Sequence, residues 1–138
     1  MKQLTFVLLI CMAVTNGLAQ NTMREKVVKA YYSGFEKHDW NTVASQIADD
    51  FTFSSAAGDD HIPVEKFKER CWPTNKFFKK AHFIKWAESG DNLFLMVEIT
   101  TTDNKLIRNV DVYSFKAGKI ESIQCFFGSG GGYPGNGK

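Results

Sequence analysis

A carboxylate stands where a strand should hide apolar side chains. In Asn109-Val110-Asp111-Val112-Tyr113-Ser114-Phe115, Asp111 sits between two valines. A tight turn at Ala117-Gly118 and a second apolar strand, Ile120 to Phe127, follow it. A buried carboxylic acid is costly unless it is protonated, paired or hydrogen-bonded, and a small β-core that keeps one can use it as a proton donor or a poised base. Alternation alone leaves a second reading open, in which Asp111 points to water from the other face of the strand. Asp59-Asp60-His61 forms another titratable cluster. It is either an acid/base group on a loop or a solvated turn that announces a helix. His38, His61 and His82 are scattered and no His/Cys set has ligand spacing, so neither a metal nor another cofactor is expected.

The chain has 138 residues, which favours one domain, and it is 43% hydrophobic with 12 Phe, enough for a core and for the walls of a cavity. Its net charge of +2 and the lack of a basic block speak against a nucleic-acid partner. Lys2, the apolar stretch Leu4 to Val14 and Gly17-Leu18-Ala19 have the form of a cleavable leader. The stretch is too short for a stable membrane span. Residues 1–19 are therefore expected to be removed and the protein exported, periplasmic or secreted. The mature chain then keeps Cys71 and Cys125. These could form one disulfide in an oxidising compartment, or remain two buried thiols acting as small hydrophobes. The sequence supplies no distance to decide.

The elements that must position these residues follow from periodicity. Thr22-Met23-Arg24-Glu25 reads as a capping box for a helix over about Met23 to Lys37, with Val27, Tyr31 and Phe35 at four-residue spacing and Val28 and Tyr32 alongside. Asp39 is placed to cap a short second helix carrying Trp40, Val43, Ala44 and Ile47. Phe51-Thr52-Phe53 alternates as a short strand, and Ser54 to Ile62 reads as a loop. Pro63 suits the first turn of a third helix, whose apolar side is Val64, Phe67, Cys71 and Trp72. Four strands follow, roughly Ala81–Glu88, Leu93–Thr101, Leu106–Phe115 and Ile120–Phe127, joined by hairpin-type turns. Ser129 to Lys138 is Gly-rich and reads as a disordered tail. Helices followed by a meander predict an α+β fold: three N-terminal-side helices on a curved antiparallel sheet, forming a cone with one closed end.

Two segments give this chain a family likeness. Asp39-Trp40-Asn41-Thr42-Val43-Ala44-Ser45-Gln46-Ile47-Ala48-Asp49-Asp50-Phe51-Thr52-Phe53 is similar to a "D…YADDATV" stretch, and Val110-Asp111-Val112-Tyr113-Ser114-Phe115 through Gly118-Lys119-Ile120 to an "IDVxRFxxGKI" hairpin. The chain resembles the nuclear transport factor 2-like superfamily, and within it the SnoaL-like polyketide cyclases and ketosteroid isomerases, over about residues 24–127. The resemblance implies a domain spanning 20–128 and a pocket at the mouth of the cone. Carried over by position, the isomerases' two oxyanion donors fall on Tyr31 and Asp111, and their general base falls on Ser55, which cannot take a carbon-acid proton unaided. The ligand-binding set implied is Tyr31, Asp111, Tyr113, Phe53, Ser55 and Phe127.

Three functions stay open at this point. The first is an exported pocket protein that binds a small hydrophobic molecule with a carbonyl, enol or phenol group through Tyr31 and a protonated Asp111, with no isomerase base at Ser55. The second is an enzyme of cyclase, isomerase or hydratase type using Asp111 or His61 as acid/base. The third is an interaction module whose open sheet face makes a homodimer.

Overall fold

The computed structural model describes residues 23–127. The expected leader, the Thr22 cap and the Gly-rich tail lie outside the described residues.

Helix α1 covers 23–36 and buries Val28, Tyr31 and Tyr32, the i, i+3, i+4 stripe of an amphipathic helix. Its C-terminus closes as a Schellman motif: Asp39 N–H donates to Gly34 O at 2.9 Å and His38 N–H to Phe35 O at 3.2 Å. His38 takes the left-handed position, φ 54°, where glycine is usual. Asn75 steadies it, lying 2.6 Å from His38 Nδ1 through its own Oδ1. Helix α2, Trp40–Gln46, is capped as its sequence suggests, with Asp39 accepting from Asn41 N–H at 2.9 Å. The two helices meet where α1 has no side chain. A Cβ built on Gly34 would stand 2.6 Å from Val43 Cγ2 and 2.9 Å from Val43 N.

Strand β1, Ile47–Ser55, is longer than the three alternating residues that announce it. It turns at Gly58, φ +91°, into β2, Asp59–Pro63. The run expected to be a loop is thus half of a hairpin. Phe53 pairs with Ile62, and Ser55 pairs with Asp59. Its charged residues hid it, because an edge strand keeps polar side chains without leaving the sheet. Pro63 ends β2 and caps α3, Val64–Arg70, and a 3₁₀ helix, Trp72–Phe77, continues to the next strand. Arg70 Nε lies 2.7 Å from Asp59 Oδ1 and ties α3 to β2.

The meander is β3, Phe78–Ser89; β4, Asn92–Thr101; β5, Leu106–Lys116; and β6, Lys119–Phe127. The open six-stranded sheet has the order β2-β1-β6-β5-β4-β3. The expected sheet was antiparallel throughout; here β1 joins β6 in parallel, which makes it mixed. This follows from the helical crossover between the two halves. Leu93, Leu95, Val97, Tyr113, Ile120 and Ile123 form the core with Val28, Tyr31 and Tyr32 of α1. The opposite face carries register rows Met96–Val110–Phe126 and Phe94–Val112–Gln124, with Met96 38% and Phe126 55% exposed.

Candidate functional site

Asp111 is on the inner face. It is 4% exposed, and Tyr113, two residues on and so on the same face, is 0% exposed. Its two carboxyl oxygens have different surroundings. Oδ2 accepts from Tyr32 Oη at 2.5 Å and from Tyr113 Oη at 3.0 Å. Oδ1 is buried and has no hydrogen-bond partner among the described residues. Burial pushes the Asp111 carboxyl above the usual range, while the hydrogen bonds from Tyr32 and Tyr113 oppose the rise. The same burial, reinforced by Asp111, pushes the Tyr32 and Tyr113 hydroxyls well above theirs, so both remain donors.

Asp111 lines a cavity of about 170 Å³. Tyr31, Tyr32, Phe35 and Phe78 close one side of it, and Phe53, Phe67 and Ile123 another. Besides Asp111 and the two tyrosines, Asn109, Thr74, Cys71 and Cys125 line it. Both cysteines are free thiols. Burial and the nearby Asp59 charge push Cys71 up to about 11, and burial and Asp111 push Cys125 higher still. Neither is a neutral-pH nucleophile.

The structure gathers part of the set that the resemblance implied. Asp111, Tyr31 and Phe53 line the cavity. Tyr113 lies behind Asp111 as a hydrogen-bond donor rather than on the wall. The hydroxyl bonded to Asp111 belongs to Tyr32, not Tyr31, whose ring meets that of Tyr32 edge-on at 5.6 Å. One residue turns a helix by about 100°, so counting from a distant motif easily selects the wrong neighbour. Ser55 stands outside the cavity, donating to Asp59 Oδ2 at 2.7 Å. It borders a separate hollow with His61, whose Nδ1 is 2.5 Å from Asp60 Oδ1 and whose side chain is 69% exposed. Phe127 ends β6 away from the cavity walls.

Sequence reasoning missed Tyr32, Asn109 and Cys125 as site residues. Tyr32 was visible as the residue four after Val28. Cys125 was not. Continuing the pairing of Lys116 with Lys119 would set Gln124 opposite Asp111, but a bulge between Ser114 and Phe115 shifts the register and sets Cys125 there.

Among the described residues, no group of three or more His, Cys, Asp or Glu could hold a metal, and no helix is long and apolar enough to cross a membrane.

Solved structures share this architecture. A nuclear transport factor 2-like protein of unknown function from Cytophaga hutchinsonii aligns with a TM-score of 0.62 at 20% identity, over 76% of this chain and 89% of its own. A protein of unknown function with a cystatin-like fold from Methylobium petroleophilum gives 0.66 at 15% identity, over 85% and 82%. A de novo designed protein with a curved β-sheet gives 0.63 at 17% identity, over 78% and 86%. At such identities the likeness is one of fold alone. No match to the sequence is found among curated proteins. The family model described as a SnoaL-like domain matches residues 28–123. With that match covering most of the chain, and with the curved sheet and helices arranged as in nuclear transport factor 2-like proteins, the protein belongs to the SnoaL-like domain family.

Proposed function

We propose that the protein is a small-molecule pocket protein whose ligand is a one-ring hydrophobic compound with a carbonyl, enol or phenol oxygen. The observation that carries this reading is the divided environment of Asp111. Two tyrosine hydroxyls occupy Oδ2, so in the neutral acid, the form burial favours, the proton sits on Oδ1, the oxygen without a partner. That O–H then donates to the ligand oxygen in a site poor in competing water. Ligand size follows from the volume. An apolar cavity of about 150 Å³ holds benzene, and this one has about 170 Å³. A four-ring steroid does not fit it.

Binding is favoured over catalysis because, among the described residues, no His, Lys, Glu or second Asp lines the cavity beside Asp111. A positioned base contributes about 10²–10⁴-fold to a proton transfer, and His61 and Ser55 stand elsewhere. Calorimetric titration with acetophenone, phenol and a 3-oxosteroid tests the proposal. The one-ring compounds bind and the steroid does not. Binding of the steroid alone, or of none of the three, overturns it.

The exposed rows centred on Met96, Val110 and Phe126 support a homodimer through the outer sheet face, rimmed by the Arg108–Glu98 pair at 2.8 Å. Light scattering at micromolar concentration is expected to return twice the chain mass, and a monomer mass counts against the dimer. The leader-like N-terminus supports export. Intact mass from the native host is expected to lack the first 19 or so residues, and a full-length species removes that reading.

A further inference from the structure

The cavity holds a second buried oxygen that the role of Asp111 leaves unused. Asn109 lies two residues before Asp111 on β5, so both side chains stand on one face, roughly 6.5 Å apart along the strand. Asn109 also lines the cavity. Its amide orientation follows from the surrounding network. Cys125 sits directly opposite Asp111 in the ladder. Asn109 Nδ2 donates to its Sγ at 3.4 Å. The amide nitrogen is thus committed to sulfur, and Asn109 Oδ1 is turned away from it. That oxygen is buried and has no partner among the described residues. A buried amide carbonyl rarely lacks a donor.

We propose that Asn109 Oδ1 is the second recognition point of the site and accepts a hydrogen bond from a hydroxyl or N–H on the ligand. The ligand class is therefore bifunctional: one ring, an acceptor oxygen for Asp111 at one end and a donor for Asn109 at the other, as in hydroxyaryl ketones. Cys125 links the two points, accepting from Asn109 and facing Asp111 across the ladder. The inference rests on the reading of Asp111 as the donor to the ligand oxygen.

Three probes separate the two points: acetophenone and the size-matched pair 4-methylacetophenone and 4-hydroxyacetophenone, titrated calorimetrically at pH 6. The hydroxyl compound is expected to bind the wild type about tenfold more tightly than the methyl compound, the factor for one well-formed hydrogen bond. In Asn109→Leu and Asn109→Ala that preference for the hydroxyl over the methyl compound falls to within about twofold; the second substitution covers the case in which leucine fills the cavity. Acetophenone binding with no hydroxyl gain in the wild type overturns the second point and leaves the Asp111 reading intact. So does a gain that survives in both variants. Failure of acetophenone itself to bind the wild type overturns the Asp111 reading, and this inference falls with it.

Discussion

Asp111→Ala is expected to weaken acetophenone or phenol binding by about 5- to 150-fold, equivalent to the 1–3 kcal/mol of a buried donor lost from a site that stays dry. The variant also strips Tyr32 and Tyr113 of their shared acceptor, so a loss of fold must be separated from a loss of affinity. Asp111→Asn does this. The amide oxygen can accept from both tyrosines while the amide N–H takes the place of the acid proton, so affinity returns to near the wild-type value at low pH. The two proteins then diverge with pH. Burial raises the folded-state pKa of Asp111 above its unfolded value, near 3.9. Stability due to the neutral acid is fully present below the unfolded value and is lost as pH rises through the folded one. Ligand affinity follows the same course, because only the neutral form donates. Thermal melts and titrations from pH 4 to pH 8 should fall for the wild type relative to Asp111→Asn, whose curves lack this contribution. Parallel curves for the two proteins, or unchanged affinity in a folded Asp111→Ala, would mean that the carboxyl takes no part.

Gly34→Ala is expected to lower stability by about 2 kcal/mol, a fall in Tm of roughly 7–10 °C for a domain of this size. Helix propensity favours alanine over glycine by about 1 kcal/mol, so an ordinary helix position would gain. Here the added methyl would meet Val43 Cγ2 at 2.6 Å, the Val43 backbone nitrogen at 2.9 Å and Asp39 O at 3.1 Å. A side-chain tip can move aside, but a backbone nitrogen in the middle of α2 cannot without shifting the helix. Overpacking therefore outweighs propensity. Calorimetric melting of the two proteins decides it, and an unchanged or higher Tm would mean that α1 and α2 separate at little cost.

The parts of this fold that sequence reveals are those set by local rules. Asp39 caps α2, the apolar stripe marks α1, and Gly90 and Gly118 take the positive φ that their hairpins need. The inward direction of Asp111 emerged from family likeness rather than from alternation, which fits either face. What stayed hidden depends on distant pairing. Asp59 to Pro63 reads as a loop until β1 offers an edge, and Cys125 reaches Asp111 only through the bulge at Ser114. The identity of the bonded tyrosine depends on the rotation of α1 against the sheet, which no local pattern fixes to within one residue. Asn109 and Cys125 are ordinary strand residues until the register brings them beside an acid.

The parallel pairing of β1 with β6 has a consequence for the route by which the chain folds. Ser55 and Cys125 are ladder partners 70 residues apart, whereas β3 to β6 are joined by tight hairpins that close in microseconds. Loop-closure entropy makes the distant pairing late. Phe53 and Phe67, one wall of the cavity, arrive with the late half; Asp111, Asn109 and Cys125 are already on the early one. The polar groups thus assemble before the enclosure that gives them their chemistry. A ligand that needs the completed cavity recognises only the finished state, and its effect on kinetics is to slow unfolding while leaving the refolding rate nearly as it was.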